Sequence, residues 1–176
     1  NKYYSVSDAF RALIAVDTAA AKKKVDALLV KDSHQDVIRS AAISYFGSVK
    51  NDQNYDRLKE LASYGGTTWD ARPEAVSQLS KYAKEKKETI DIFVDLLEDR
   101  SRDVRRRAIF ALASHGNKSH LGHLDELLHK DPALGRDIRY AKKRIISPPK
   151  NRPKTASEKE LDVANKKLDE IKRILD

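Results

Sequence analysis

The feature that most constrains the fold is a periodicity of 33 residues that runs without gaps through most of the 176-residue chain. Leu13, Phe46, Leu79, Leu112 and Ile145 stand 33 residues apart, as do Ala9, Ala42, Ala75, Ala108 and Ala141. The same offset joins Arg39, Arg72 and Arg105, each preceded by an apolar residue, Ile38, Ala71 and Val104. Self-similarity at a fixed period of this length marks units that cannot bury their apolar face alone and must stack on copies of themselves.

The spacing inside a unit is helical. Val104, Ala108, Ala111 and Leu112 recur at steps of three and four and fall on one stripe, where alanine admits a neighbouring helix and leucine fills the remaining gap. A second set at the same offset, Leu28, Leu61, Val94 and Leu127 with Val25, Leu58 and Leu124, predicts a partner helix in each unit. The turns between the two sets, "KDSHQD", "SYGGTT", "EDRSRD" and "HKDPALG", carry the Gly, Pro, Asp and Ser residues that stop and cap helices. Thr68 and Ser101 hold equivalent places as expected N-caps. Residues 1–146 are therefore expected to be all-α, a series of helical hairpins.

Composition agrees and narrows the chemistry. Charged residues make up 35% of the chain, apolar ones 40%, and there are only six glycines, a balance suited to helices with one wet face. Without cysteine, disulfides, thiolate metal sites and thiol nucleophiles are excluded. Without methionine, Asn1 reads as an internal residue of a longer protein. Runs such as "ALLV" and "IDIFVDLL" are too short to cross a bilayer, so no membrane span and a cytoplasmic location are expected.

The segments "DSHQDVIRSAAISYF", "TTWDARPEAVSQL" and "DRSRDVRRRAIFAL" resemble units of the HEAT-repeat family. The resemblance implies a right-handed α-solenoid of about four to five hairpins, in which no unit is stable by itself. It also implies that Arg39, Arg72 and Arg105 form a structural ladder between turns. Asp32, Glu98 and Asp131 share a repeated position in the preceding turns, where a carboxylate can bind an arginine fork; Gly65 interrupts that series.

The repeat leaves other cations unexplained. Arg100, Arg102, Arg106 and Arg107, with Arg136, Arg139, Lys142, Lys143 and Arg144 one unit later, are candidates for a basic strip. Such a strip suits the phosphate backbone of a nucleic acid, and the net charge of +8 permits it. Interspersed Glu98, Asp99, Asp103 and Asp137, and the lack of aromatic residues interleaved for base stacking, favour a protein partner instead.

Catalytic motifs are missing. "SYGGTT" lacks the lysine and spacing of a phosphate loop, no nucleophile elbow occurs, and Asp91 with Asp95 reads as a solvated helix face. His120 and His123, in "HGNKSHLGHLDELLH", read as solvent-facing histidines at the start of a helix rather than zinc ligands. No catalytic, metal or cofactor-binding residue is assigned. Residues 147–157 read as a Pro-rich basic linker. Residues 158–176 carry Leu161, Ala164, Leu168, Ile171 and Leu175 on a heptad stripe, an amphipathic helix that can fold back on the hairpins, self-associate, or fold only with further chain.

The words "YYSVSDAFRAL" and "DSHQDVIRSAA", with the closing heptad helix, are further similar to the C-terminal helical region of prokaryotic zinc aminopeptidases of the aminopeptidase N type. That resemblance implies an accessory role in which the helices close over the catalytic domain's cavity and limit substrate size. The zinc signature H-E-x-x-H is missing from this chain, so zinc would belong to a parent enzyme and to no residue here.

Overall fold

The computed structural model describes residues 2–148, and among them there are nine α-helices and no strand. The helices are α1 (Lys2–Val16), α2 (Thr18–Leu29), α3 (Val37–Ser48), α4 (Asp52–Ala62), α5 (Arg72–Leu79), α6 (Thr89–Asp95), α7 (Arg102–His115), α8 (Leu121–Lys130) and α9 (Gly135–Ile146). The expected chain beyond Pro148, including the helix over 158–176, lies outside the described residues.

The odd-numbered helices form one layer in chain order, with α1 on α3, α3 on α5, α5 on α7 and α7 on α9. The even-numbered helices pack outside this layer: α2 against α1 and α3, α4 against α3 and α5, α6 against α7, and α8 against α9. Ala42, Ala75, Ala108 and Ala141 are fully buried at the contacts within the odd layer, which is where a methyl group lets two backbones close on each other. Ile38, Val104 and Leu112 are equally buried beside them. One core runs from Phe10 to Ile145.

The first helix departs from the expected register. Ala9 is exposed and Leu13 only half-buried, while Ser7, Phe10 and Ile14 face inward. As the first helix of its layer, α1 packs chiefly against α2 and α3, so its apolar stripe is free to turn toward that pair. A similar one-residue rotation buries Leu29 in place of Leu28, and Phe93 and Leu97 in place of Val94.

The caps are likewise uneven. Ser101 caps α7, its Oγ accepting from the Val104 N–H. Thr68 does not cap α5: Pro73 sits in the first turn, the helix begins at Arg72, and the intervening turn leaves the Thr68 hydroxyl to accept from Arg39 at 3.0 Å. Among the described residues no helix is long and apolar enough to cross a membrane.

Candidate functional site

The three repeated arginines lie at the start of α3, α5 and α7, pointing along the stack. Arg39 Nε donates to the Leu29 carbonyl at 2.6 Å, and Arg72 Nε to the Ala62 carbonyl at 3.2 Å. Donors and acceptors are each one period apart, so the same arginine closes the free carbonyl end of α2 and of α4. Forward along the chain, Arg39 also reaches Thr68, Arg72 reaches Asp99 at 2.5 Å, and Arg105 reaches Asp131 at 2.7 Å. Arg39 and Arg72 therefore tie the preceding helix end to the following turn.

The carboxylates only partly follow the sequence expectation. Asp32 and Asp36 both contact Arg39, and Asp131 contacts Arg105. Glu98 pairs with Lys130 instead, and its neighbour Asp99 supplies the acceptor for Arg72. The Arg72 and Asp99 side chains are 2% and 8% exposed, which makes this the one ion pair among the described residues with both partners under a tenth exposed. Asp99 Oδ1 also accepts from the Ser101 N–H, so its charge is well bonded.

Arg105 is the irregular rung. The segment Leu96–Glu98 after α6 tightens into a 3₁₀ turn, and Arg105 Nη1 takes the Asp99 carbonyl at 2.6 Å. Its Nε, the atom that meets the helix end in the other two rungs, is buried with no hydrogen-bond partner among the described residues. Bonds from Arg105 and Arg102 hold the Asp131 carboxyl below the usual carboxylate range.

The proposed basic strip divides across α9. Arg106 pairs with Asp137 at 2.9 Å on the α7 side, whereas Lys142 turns to the opposite flank and binds Asp125 of α8. Arg102 reaches Asp131 at 3.2 Å, beside Arg105. Arg107, Arg136, Arg139, Lys143 and Arg144 enter no ion pair among the described residues. The strip is thus not a continuous band from Arg102 to Lys143.

Two adjacent grooves remain on the α5–α7–α9 face. The first, between α5 and α7, is lined by Asp70, Pro73, Asp103, Arg106, Arg107 and Phe110. The second, between α7 and the start of α9, shares Asp103 and Arg106 and adds Arg102, Leu134, Arg136 and Asp137 among its walls. Contrary to the sequence expectation, aromatic rings do accompany these cations. Arg106 lies 5.8 Å from the centroid of the Phe110 ring, and Phe110 meets Tyr140 edge-on at 6.0 Å. The i,i+4 spacing of Arg106 and Phe110 is the signal that could have found them.

The histidines do other work. His120 Nδ1 accepts from the Asn117 N–H at 3.0 Å, closing a capping box before α8. His123 is exposed, and His115 is half-buried with its imidazole held below the ordinary range by burial and by Lys84 and Lys87. Among the described residues no three His, Asp or Glu side chains converge as a metal site.

No protein-family model, curated protein or solved structure matches this chain.

Proposed function

We propose that residues 1–146 form a HEAT-like α-solenoid and act as a non-catalytic interaction domain. The single observation that carries this reading is the paired reach of Arg39 to the Leu29 carbonyl and of Arg72 to the Ala62 carbonyl, one period apart, within a layer whose helices touch in chain order. A chain built this way offers long, ridged faces and little enclosed volume, the geometry of a surface that binds another macromolecule.

In this reading the partner surface belongs to a zinc aminopeptidase of the aminopeptidase N type, with the helices bounding its substrate chamber. The supporting words, "YYSVSDAFRAL" and "DSHQDVIRSAA", fall in α1 and around the entry to α3. The coding sequence upstream of Asn1 is expected to contain an H-E-x-x-H helix with a downstream glutamate. In that parent, removal of residues 1–146 should widen the range of peptide lengths cleaved. A parent without the zinc signature, or one whose activity and size selectivity survive the deletion, overturns the aminopeptidase assignment.

A further inference from the structure

The charge of the chain is unevenly placed. Residues 100–146 hold twelve Lys and Arg against five Asp and Glu, a surplus of seven out of the chain's net eight. Residues 1–99 hold fifteen against sixteen and are nearly neutral. The surplus therefore sits on the segment that supplies α7 and α9, where the two grooves are.

Each groove contains one arginine outside any ion pair among the described residues, Arg107 in the first and Arg136 in the second. Arg106 stands between them, already bound to Asp137 and lying over Phe110. Each groove holds about 400 Å³, room for the side chains of a peptide laid across it. Packed helices lie roughly 8–10 Å apart, and one turn of an extended polyproline II peptide, three residues, spans about 9 Å and returns the side chain to the same face. A peptide crossing α5, α7 and α9 in that conformation thus places every third side chain in successive grooves, with Phe110 in the wall of the first groove, edge-on to the half-exposed Tyr140, as an apolar rest.

The walls decide which polyanion fits. Asp70 and Asp103 flank Arg107 and enter no ion pair among the described residues, and Asp137 closes the second groove. A phosphodiester backbone carries charge at every step and meets these carboxylates as well as the arginines. A peptide carries its charge only where an arginine fork receives it, and guanidinium binds carboxylate in a bidentate fashion.

Resting on the interaction-domain reading, we infer that the α5–α7–α9 face binds an extended acidic segment of a protein partner, with two carboxylates three residues apart on Arg107 and Arg136 and an apolar side chain on Phe110. This names a chemistry for the partner that the fold reading leaves open.

The test is calorimetric titration of the 176-residue chain at low salt with the blocked peptide Ser-Gly-Glu-Phe-Ala-Glu-Gly-Ser. Saturable one-to-one binding is expected, weakened about tenfold or more when both glutamates become glutamine or in the double variant Arg107→Glu, Arg136→Glu. The double variant Lys23→Glu, Lys24→Glu on the exposed side of α2 should bind as the parent does. Thermal unfolding of each variant, expected unchanged for these exposed positions, verifies that a loss of binding is not a loss of fold. No saturation at low salt, or binding indifferent to Arg107 and Arg136, overturns the inference. Tighter binding of a short mixed-sequence DNA duplex, lost in the same double variant, overturns it in favour of a phosphate backbone. Neither result bears on the zinc signature or the deletion phenotype, so failure here is distinct from failure of the aminopeptidase reading.

Discussion

Arg72 illustrates what a buried charge demands of its surroundings. It donates to Asp99 and to the Ala62 carbonyl, so truncation strands a carboxylate and a helix end at once. Arg72→Ala is expected to cost about 3–5 kcal/mol in urea unfolding, and Arg72→Met with Asp99→Leu to recover a large part of it, because the paired apolar swap leaves no orphan charge. Two titrations act at different depths on the acid side of neutrality. The Asp131 pKa is depressed mainly by its bond from Arg105, so its stabilisation is complete above the unfolded carboxylate value and disappears as pH falls through the lower folded value. Asp131→Asn should therefore flatten the loss of stability below about pH 4. His115 is depressed by burial, so the unfolded chain takes up its proton first and the fold weakens as pH falls from about 6.5 toward the folded pKa. His115→Gln should remove that slope, read as urea midpoints against pH.

At the scale of elements, the close approach of α3 and α5 depends on Gly47. A Cβ there would lie 2.8 Å from Gln78 Cβ, a part of the side chain that cannot swing aside. Gly47→Ala is expected to push the helices apart at a cost of about 1–3 kcal/mol, measured by chemical denaturation. The fixed period made this layer legible before the structure, since Ala42, Ala75, Ala108 and Ala141 are buried where the spacing puts them. It could not show the rotations of α1, α2 and α6, which depend on how many neighbours each helix has. The turns were legible by composition and not by partner. Asp99 rather than Glu98 binds Arg72 because their backbone directions differ in the turn, and Thr68 yields its cap role because Pro73 fixes a later start for α5. The candidate site was read least well: Arg106 and Lys142, both assigned to one basic strip, bind on opposite flanks of α9, and Phe110 with Tyr140 became visible as a pair only once α7 and α9 were side by side.

For the whole molecule, each odd helix packs within its layer chiefly on its chain neighbours, so stability is expected to be the sum of local units and their contacts. Ile138 is fully buried on α9 at the far end of the layer from α1. Ile138→Ala should cost about 2–4 kcal/mol, and hydrogen exchange should show the loss first in α7–α9 while α1–α3 keep their protection. Loss of protection along the entire chain at once would mean that the described helices unfold as one cooperative block. The arginine rungs have a consequence for how such a chain changes over generations. Arg39 and Arg72 each find their carbonyl ten residues behind, so an in-frame tandem duplication of one period inserts a hairpin whose arginine meets an acceptor at once. An insertion within the ten residues between a carbonyl and its arginine parts that pair. The chain is thereby free to lengthen or shorten in whole rungs and resists change inside the reach of one.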